Sequence, residues 1–321
     1  MRILVTGGAG FIGSNLVESL LNNESIKHVR VLDNLATGSI DNIEEFYLHP
    51  HFEFLQGDIR DYSICMQACD GIDLISHQAA LGSVPRSIND PLTTNEVNIT
   101  GTLNIFMAAK EKKIKRVVYA ASSSTYGDHP GLPKMEDKIG KPLSPYAVTK
   151  YVNELYADVF ASLYQMEFIG LRYFNVFGPK QNPKGPYAAV IPLFIESLLN
   201  DQSAMINGDG EHSRDFTYVS NAVQANVLSL FTKEKQAVNQ IYNIAFGQQT
   251  SLNQLFNYLK NISASKINPL HGPERQGDVK HSLADISKAK RLLQYAPDIS
   301  VEEGLRKTFE WFQKQVKIKI S

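Results

Sequence analysis

Tyr146 and Lys150 stand four residues apart in the run SPYAVTK. On a helix that spacing puts both side chains on one face, so an ammonium can lie beside a phenol. An ordinary tyrosine ionises near pH 10, too high for a base at neutral pH. A neighbouring cation lowers that value, and a cationic nicotinamide lowers it further. Alone, such pairs are common on helix surfaces; beside a bound dinucleotide, this one reads as a proton carrier. Ser122, Ser123 and Ser124 precede it at the end of an apolar run. A hydroxyl placed there can hydrogen-bond a substrate hydroxyl and relay its proton to Tyr146, although serines at strand ends also form ordinary turns.

A dinucleotide site is signalled at the start of the chain. TGGAGFIG sets Gly7, Gly10 and Gly13 between an apolar run and a helical stretch. Small residues there let the backbone approach a pyrophosphate, and the helix start supplies free N–H donors. Asp33 follows Gly13 by twenty residues, at the end of the second apolar run. Its carboxylate can accept from a ribose hydroxyl and would repel a 2′-phosphate, which favours NAD over NADP. Asp58 is placed to reach the adenine, or forms an ordinary turn.

These residues need a parallel sheet to bring them together. Strands are expected at Arg2–Thr6, His28–Leu32, Phe52–Gln56, Ile72–His77, Val117–Ala121 and Phe168–Arg172. Helical stretches lie between them, notably Phe11–Leu21, Leu92–Lys113 and Pro145–Tyr164. Such alternation predicts an α/β fold, a Rossmann-type doubly wound parallel sheet. After Asn175 the sequence turns rich in proline and glycine, which predicts a smaller mixed α/β substrate-binding lobe. The expected division is 1–175 and 176–321, with interleaved segments.

The 321 residues carry a net charge of −1, with 43% apolar and 20% charged residues. That balance excludes disordered, coiled-coil and fibrous chains and argues against a nucleic-acid partner. No apolar run approaches the roughly 18–20 residues of a membrane span, and MRILVTGG lacks a signal pattern, so a cytoplasmic protein is expected. Cys65 and Cys69, four apart, read as partly buried thiols and not as a disulfide or a metal site.

TGGAGFIG, GDIRD, SSSTYGD, SPYAVTK and LRYFNVFGP together resemble the extended short-chain dehydrogenase/reductase superfamily, and within it the nucleotide-sugar 4-epimerases. The resemblance covers nearly the whole chain. It implies that the catalytic hydroxyl lies four residues before the tyrosine of the Tyr126–Gly127 pair, which is Ser122. Related 4,6-dehydratases carry an acid pair where Ser123 and Ser124 stand, and decarboxylases carry Glu at the position of Ser124. Neither acid is present, which leaves simple epimerisation. The implied mechanism has Tyr146, aided by Ser122, take the proton of the sugar 4-hydroxyl while hydride leaves carbon 4 for the nicotinamide. The 4-keto sugar then turns and is reduced on its other face. Further cofactor contacts are implied for Phe11, Ile12, Asn34, Ile59, Gln78, Ala79, Ala80, Asn98 and Tyr173.

The resemblance also implies a UDP-sugar substrate. Arg214 and Arg275 match the residues that hold its diphosphate, Asp278 the one on the ribose, and Asn175 a substrate-contacting Asn. Ala189 and Val190 belong to the segment that packs on uracil. Seven residues after Arg275, Ser282 stands where some UDP-galactose 4-epimerases carry a bulky Tyr, so room is expected for an N-acetyl group. Ser83 and Arg86 in AALGSVPRS resemble epimerases of N-acetylated sugars, and Gly82 replaces a Lys of the plain galactose enzymes. UDP-N-acetylglucosamine is therefore the expected substrate. The uronic acid forms follow closely, since Arg86 could meet a carboxylate, and plain UDP-glucose is a further alternative. A homodimer packed through Leu92–Lys113 and Tyr146–Tyr164 is implied, as is supply of surface polysaccharide synthesis. A cofactor-binding sensor without chemistry would lack the Tyr or Lys, and both are here.

Overall fold

The computed structural model describes residues 1–183, 188–274 and 280–320, without the side chains of 317–320. The first half alternates strand and helix: β1 (Arg2–Thr6), α1 (Phe11–Leu21), β2 (His28–Asp33), β3 (Phe52–Gln56), α2 (Tyr62–Ala68) and β4 (Leu74–His77). α3 (Val84–Asn89), α4 (Pro91–Asn95) and α5 (Thr102–Glu111) lead to β5 (Arg116–Ser122), α6 (Pro145–Tyr164) and β6 (Glu167–Tyr173). Then come β7 (Val176–Phe177), α7 (Val190–Leu199), β8 (Met205–Asn207), β9 (Ser213–Asp215), β10 (Thr217–Tyr218) and α8 (Val219–Phe231). β11 (Gln240–Ile244), β12 (Gln249–Ser251), α9 (Leu252–Ser263), β13 (Leu270–Gly272), α10 (Ser287–Leu293) and α11 (Val301–Ile320) complete the chain.

Seven strands form one parallel sheet in the order β11-β6-β5-β4-β1-β2-β3. The order reverses between β1 and β4, and such a switch point opens a crevice at the carboxyl ends of the strands. Alternate strand residues face opposite cores. Ile3 and Val5 pack with Leu16 of α1 and Ala222 of α8, while Leu4 packs with Cys65, Phe106 and Phe160. This is the doubly wound fold expected from the sequence.

The six expected strands are present, and a seventh joins them. β11 comes from the loop-rich second half and pairs along β6 from Gln240↔Ile169 to Ile244↔Tyr173. Its five residues lack a strong local pattern; pairing with a distant strand makes them a strand. The expected helix Leu92–Lys113 is three pieces, because Glu96–Gly101 winds as a π-helix between α4 and α5. A Cβ on Gly101 would lie 2.6 Å from Ile59 Cδ1, so glycine lets this wider turn press on the loop after β3 without displacing Ile59. Both cysteines are free and buried, and burial pushes each thiol up to about 12. Among the described residues no helix is long and apolar enough to cross a membrane.

Candidate active site

The loop between β1 and α1 is built for close approach. Gly7 has φ +69°, and a Cβ there would lie 2.6 Å from Ala79 N; at Gly13 it would lie 2.1 Å from Gly7 O. Gly10 caps α1 without any side-chain hydrogen bond. The first N–H groups of this helix thus have no side chain in their way, which suits a pyrophosphate. Asp33 ends β2, accepting from Ala9 N–H at 3.0 Å and Leu35 N–H at 2.8 Å. Burial pushes its carboxyl up, and these two donors pull it down.

One cavity of about 460 Å³ runs from this loop across the switch point. It is lined by Gly7, Gly10, Phe11, Ile12, Gly13, Asp33, Asn34, Asp58, Ile59, Gln78, Ala79 and Ala80, and at its other end by Ser122, Tyr146, Lys150, Tyr173 and Asn175. The cradle that a Cβ would fill, the capless helix and the carboxylate all fit NAD. Asp58 is held by Arg60 at 2.7 Å and by Asn34 at 2.8 Å, and Arg60 above all keeps its carboxyl down at about 2.

Asn98 stands apart from the other expected cofactor contacts. It is fully buried in the π-helical segment, and the described cavity lining does not include it. Its amide donates to Leu81 O at 3.1 Å and Thr149 Oγ1 at 3.1 Å, and accepts from Leu81 N–H at 2.8 Å. It therefore ties the cavity wall at Leu81 to the helix that carries Tyr146.

α6 positions the expected proton carriers. The Ser144 hydroxyl accepts from Ala147 N–H at 3.1 Å and Pro145 fills the first turn, where a missing N–H costs nothing. Lys150 Nζ donates to Ala120 O at 2.8 Å and lies 6.0 Å from the centre of the Tyr146 ring. Burial pushes the Tyr146 hydroxyl up, with Ser122 pulling against it. Burial also pulls Lys150 down to about 8, with Glu154 opposing. Burial is the largest influence on both side chains, and a positive charge on a bound cofactor would favour the phenolate.

Beneath the site, Thr6, His77, Thr102 and Asn226 escaped the sequence reading and join the expected Gln78 and Tyr173 in two polar groups. Thr102 Oγ1 donates to Asn98 O at 2.7 Å, so at 2.9 Å it accepts from His77 Nε2. His77 Nδ1 then accepts from Thr6 Oγ1 at 2.7 Å, and Thr6 Oγ1 accepts from Ala79 N–H at 3.3 Å. Burial pulls His77 down to about 3, with Lys150 adding to it, so the ring is neutral and its tautomer set. Gln78, Tyr173 and Asn226 form a second group: Tyr173 Oη donates to Gln78 Oε1 at 3.1 Å and accepts from Asn226 Nδ2 at 2.7 Å. A polar run at a strand's carboxyl end, such as His77–Gln78, is the signal that could have found them.

Of the expected substrate residues, Ser122, Tyr146 and Asn175 line the cavity. Ser83 and Arg86 sit just past its wall at Gly82, and the Ser83 hydroxyl caps α3 by accepting from Arg86 N–H at 3.3 Å. Arg214 donates to Ser213 O at 3.0 Å and Lys280 O at 3.2 Å, while Ser282 N–H donates to Ser213 O at 3.1 Å, so Arg214 and Ser282 come together. Asn175 donates to Asp215 O at 3.3 Å, next to Arg214. Ala189 caps α7 and Val190 begins it. Ser123 and Ser124 begin the short helical turn after β5. Arg275 and Asp278 lie outside the described residues.

A switch-point cavity holding this glycine loop, Asp33 and the Ser–Tyr–Lys set defines an NAD-dependent enzyme of the short-chain dehydrogenase kind. Residues 3–245 match the NAD dependent epimerase/dehydratase family; the chain belongs to that family, and NAD is its cofactor. It is 38% identical to a putative UDP-glucose 4-epimerase of Methanocaldococcus jannaschii, over 97% of this chain and 98% of the other. A solved UDP-N-acetylglucosamine 4-epimerase of Methanobrevibacter ruminantium, in complex with UDP-N-acetylmuramic acid, has 41% identity and a TM-score of 0.92, each chain 98% covered. The UDP-glucuronic acid 4-epimerase of Bacillus cereus, solved with UDP-glucuronic acid and NAD, has 33% identity and a TM-score of 0.91, covering 98% of this chain and 100% of that one.

Proposed function

We propose that this chain, an isomerase acting on UDP-sugars, interconverts UDP-N-acetylglucosamine and UDP-N-acetylgalactosamine at carbon 4 through a 4-keto sugar. The observation that carries epimerisation is the single cavity in which Ser122, Tyr146 and Lys150 face the dinucleotide loop. Serines at 123 and 124 leave no acid beside Ser122 for elimination or decarboxylation. Bound NAD supplies the acceptor and later the donor for hydride at carbon 4. Tyr146 takes the proton of the 4-hydroxyl and returns it at the end, Ser122 hydrogen-bonds the same oxygen, and Lys150 keeps positive charge near the phenolate. Because the cofactor is regenerated at each turnover, the purified protein should carry it without any added.

The N-acetyl preference is supported by the small Ser282, held beside Arg214, and by the likeness to the Methanobrevibacter ruminantium enzyme. Product assays on UDP-N-acetylglucosamine, its 6-carboxylate analogue, UDP-glucose and UDP-glucuronic acid test it. Clear preference for UDP-glucose over UDP-N-acetylglucosamine would sink the reading. Ser282→Tyr should cut kcat/KM on the N-acetylated sugar by about 5- to 150-fold, the effect of about 1–3 kcal/mol of overpacking beside the sugar. UDP-glucose turnover should change little.

A homodimer is part of the same proposal. Val148, Leu155, Val159 and Leu163 on α6 are 45%, 50%, 48% and 67% exposed, and Leu92 of the neighbouring α4 is 77% exposed. An apolar stripe of this kind suits a second copy. Leu155→Glu with Leu163→Glu should halve the mass measured by light scattering, and an unchanged dimer in that variant would refute the assignment.

A further inference from the structure

Ser124 is absent from the described cavity lining, although it stands two residues from the catalytic hydroxyl. It faces Ser122 instead. Its N–H donates to Ser122 Oγ at 3.1 Å and its hydroxyl donates to the same oxygen at 2.9 Å. A serine oxygen has two lone pairs and one hydrogen. With both lone pairs taken, Ser122 keeps only its hydrogen for a third partner. Ser122 is 8% exposed, so water does not compete strongly for these sites. On the cavity side, Ser122 shares the lining with Tyr146 and pulls that hydroxyl down against its burial.

We propose that Ser124 is a positioning residue: its N–H and hydroxyl fill the acceptor sites of Ser122 Oγ, which makes Ser122 a one-way donor, toward Tyr146 Oη in the free site and toward the reacting sugar oxygen once substrate is bound. A one-way donor favours the phenolate over the phenol, because a phenol must give its proton to some acceptor and Ser122 offers none. It also suits both halves of an epimerisation, in which the sugar oxygen changes from hydroxyl to carbonyl and back. Without the Ser124 hydroxyl, Ser122 regains one lone pair, can turn, and can accept from protonated Tyr146. The sugar-oxygen half of the proposal rests on the 4-epimerase reading; the Ser122–Tyr146 half stands without it.

The test uses the NAD-loaded protein as purified. Ser124→Ala should lower kcat about 3- to 10-fold, one neutral hydrogen bond's worth, with KM within about twofold. The acid limb of its kcat–pH profile should move up by about half to one unit. Ser124→Thr, which keeps the hydroxyl, should restore both. In a Ser122→Ala background, Ser124→Ala should cost nothing further, since the two act as one unit. Ultraviolet titration of the Tyr146 phenolate, read as the difference from the matching Tyr146→Phe variants, should shift in the same direction. An unmoved acid limb and titration in Ser124→Ala, or an equal loss in the Ser122→Ala background, would overturn the proposal. If the unchanged protein epimerises no UDP-sugar, the functional reading fails, and the phenolate titration still decides the role of Ser124.

Discussion

Tyr146→Phe should lower kcat by about 10²- to 10⁴-fold while NAD stays bound and KM changes little. The substitution removes one oxygen and keeps the ring, so the cavity wall is preserved. The influence of Ser122, which pulls the hydroxyl down, goes with that oxygen. What disappears is the group that can hold the sugar's proton between the two halves of the reaction, and no neighbour replaces it. Lys150 is committed to Ala120 O, and His77 is neutral and enclosed by Thr6 and Thr102. The pH dependence follows from the same geometry. In the proposed mechanism the phenolate is the active form, and burial pushes the hydroxyl up, so activity should fall as pH drops through the Tyr146 value of the loaded enzyme. Tyr146→Phe should have no such limb left in its residual rate. Activity within tenfold of the unchanged protein would rule out Tyr146 as the base.

Much of this site could be read from spacing. Gly7, Gly10 and Gly13 mark the turn between a strand and a helix, Asp33 closes the next strand, and Tyr146 and Lys150 lie in one helix. The parts that escaped are those set by distant packing. β11 becomes a strand because β6 offers it an edge. The π-helical turn at Glu96–Gly101 sets Gly101 close against Ile59 from another element. Asn98 reads as a cofactor contact in sequence, yet its amide is taken up by Leu81 and Thr149. The balance between charge attraction and desolvation at Tyr146 is equally hidden, since only coordinates reveal how deeply a pair is buried.

Glu154→Ala should destabilise the fold by about 3–5 kcal/mol, the cost of stranding a buried cation. Arg172 Nε and Nη2 donate to the two carboxylate oxygens of Glu154 at 2.9 and 2.8 Å, a bidentate pair. The two side chains are 2% and 3% exposed. Arg172 also donates to Glu136 O at 3.0 Å and lies 4.8 Å from the centre of the Tyr126 ring, so it cannot swing out to water without breaking both contacts. A chemical-unfolding midpoint at fixed NAD concentration measures the loss. The double variant Glu154→Leu with Arg172→Met should recover much of it, because no charge is then stranded. A loss under about 1 kcal/mol in Glu154→Ala would mean that water reaches Arg172 after all. The pair also bears on catalysis, since Glu154 lies one helical turn beyond Lys150 and raises it against burial. Removing that carboxylate lets Lys150 lose its proton at lower pH, so the alkaline limb of activity should move down in Glu154→Ala. The same buried anion thus neutralises Arg172 at the sheet and keeps Lys150 charged at the site, which ties the stability of the fold to the pH range of its chemistry.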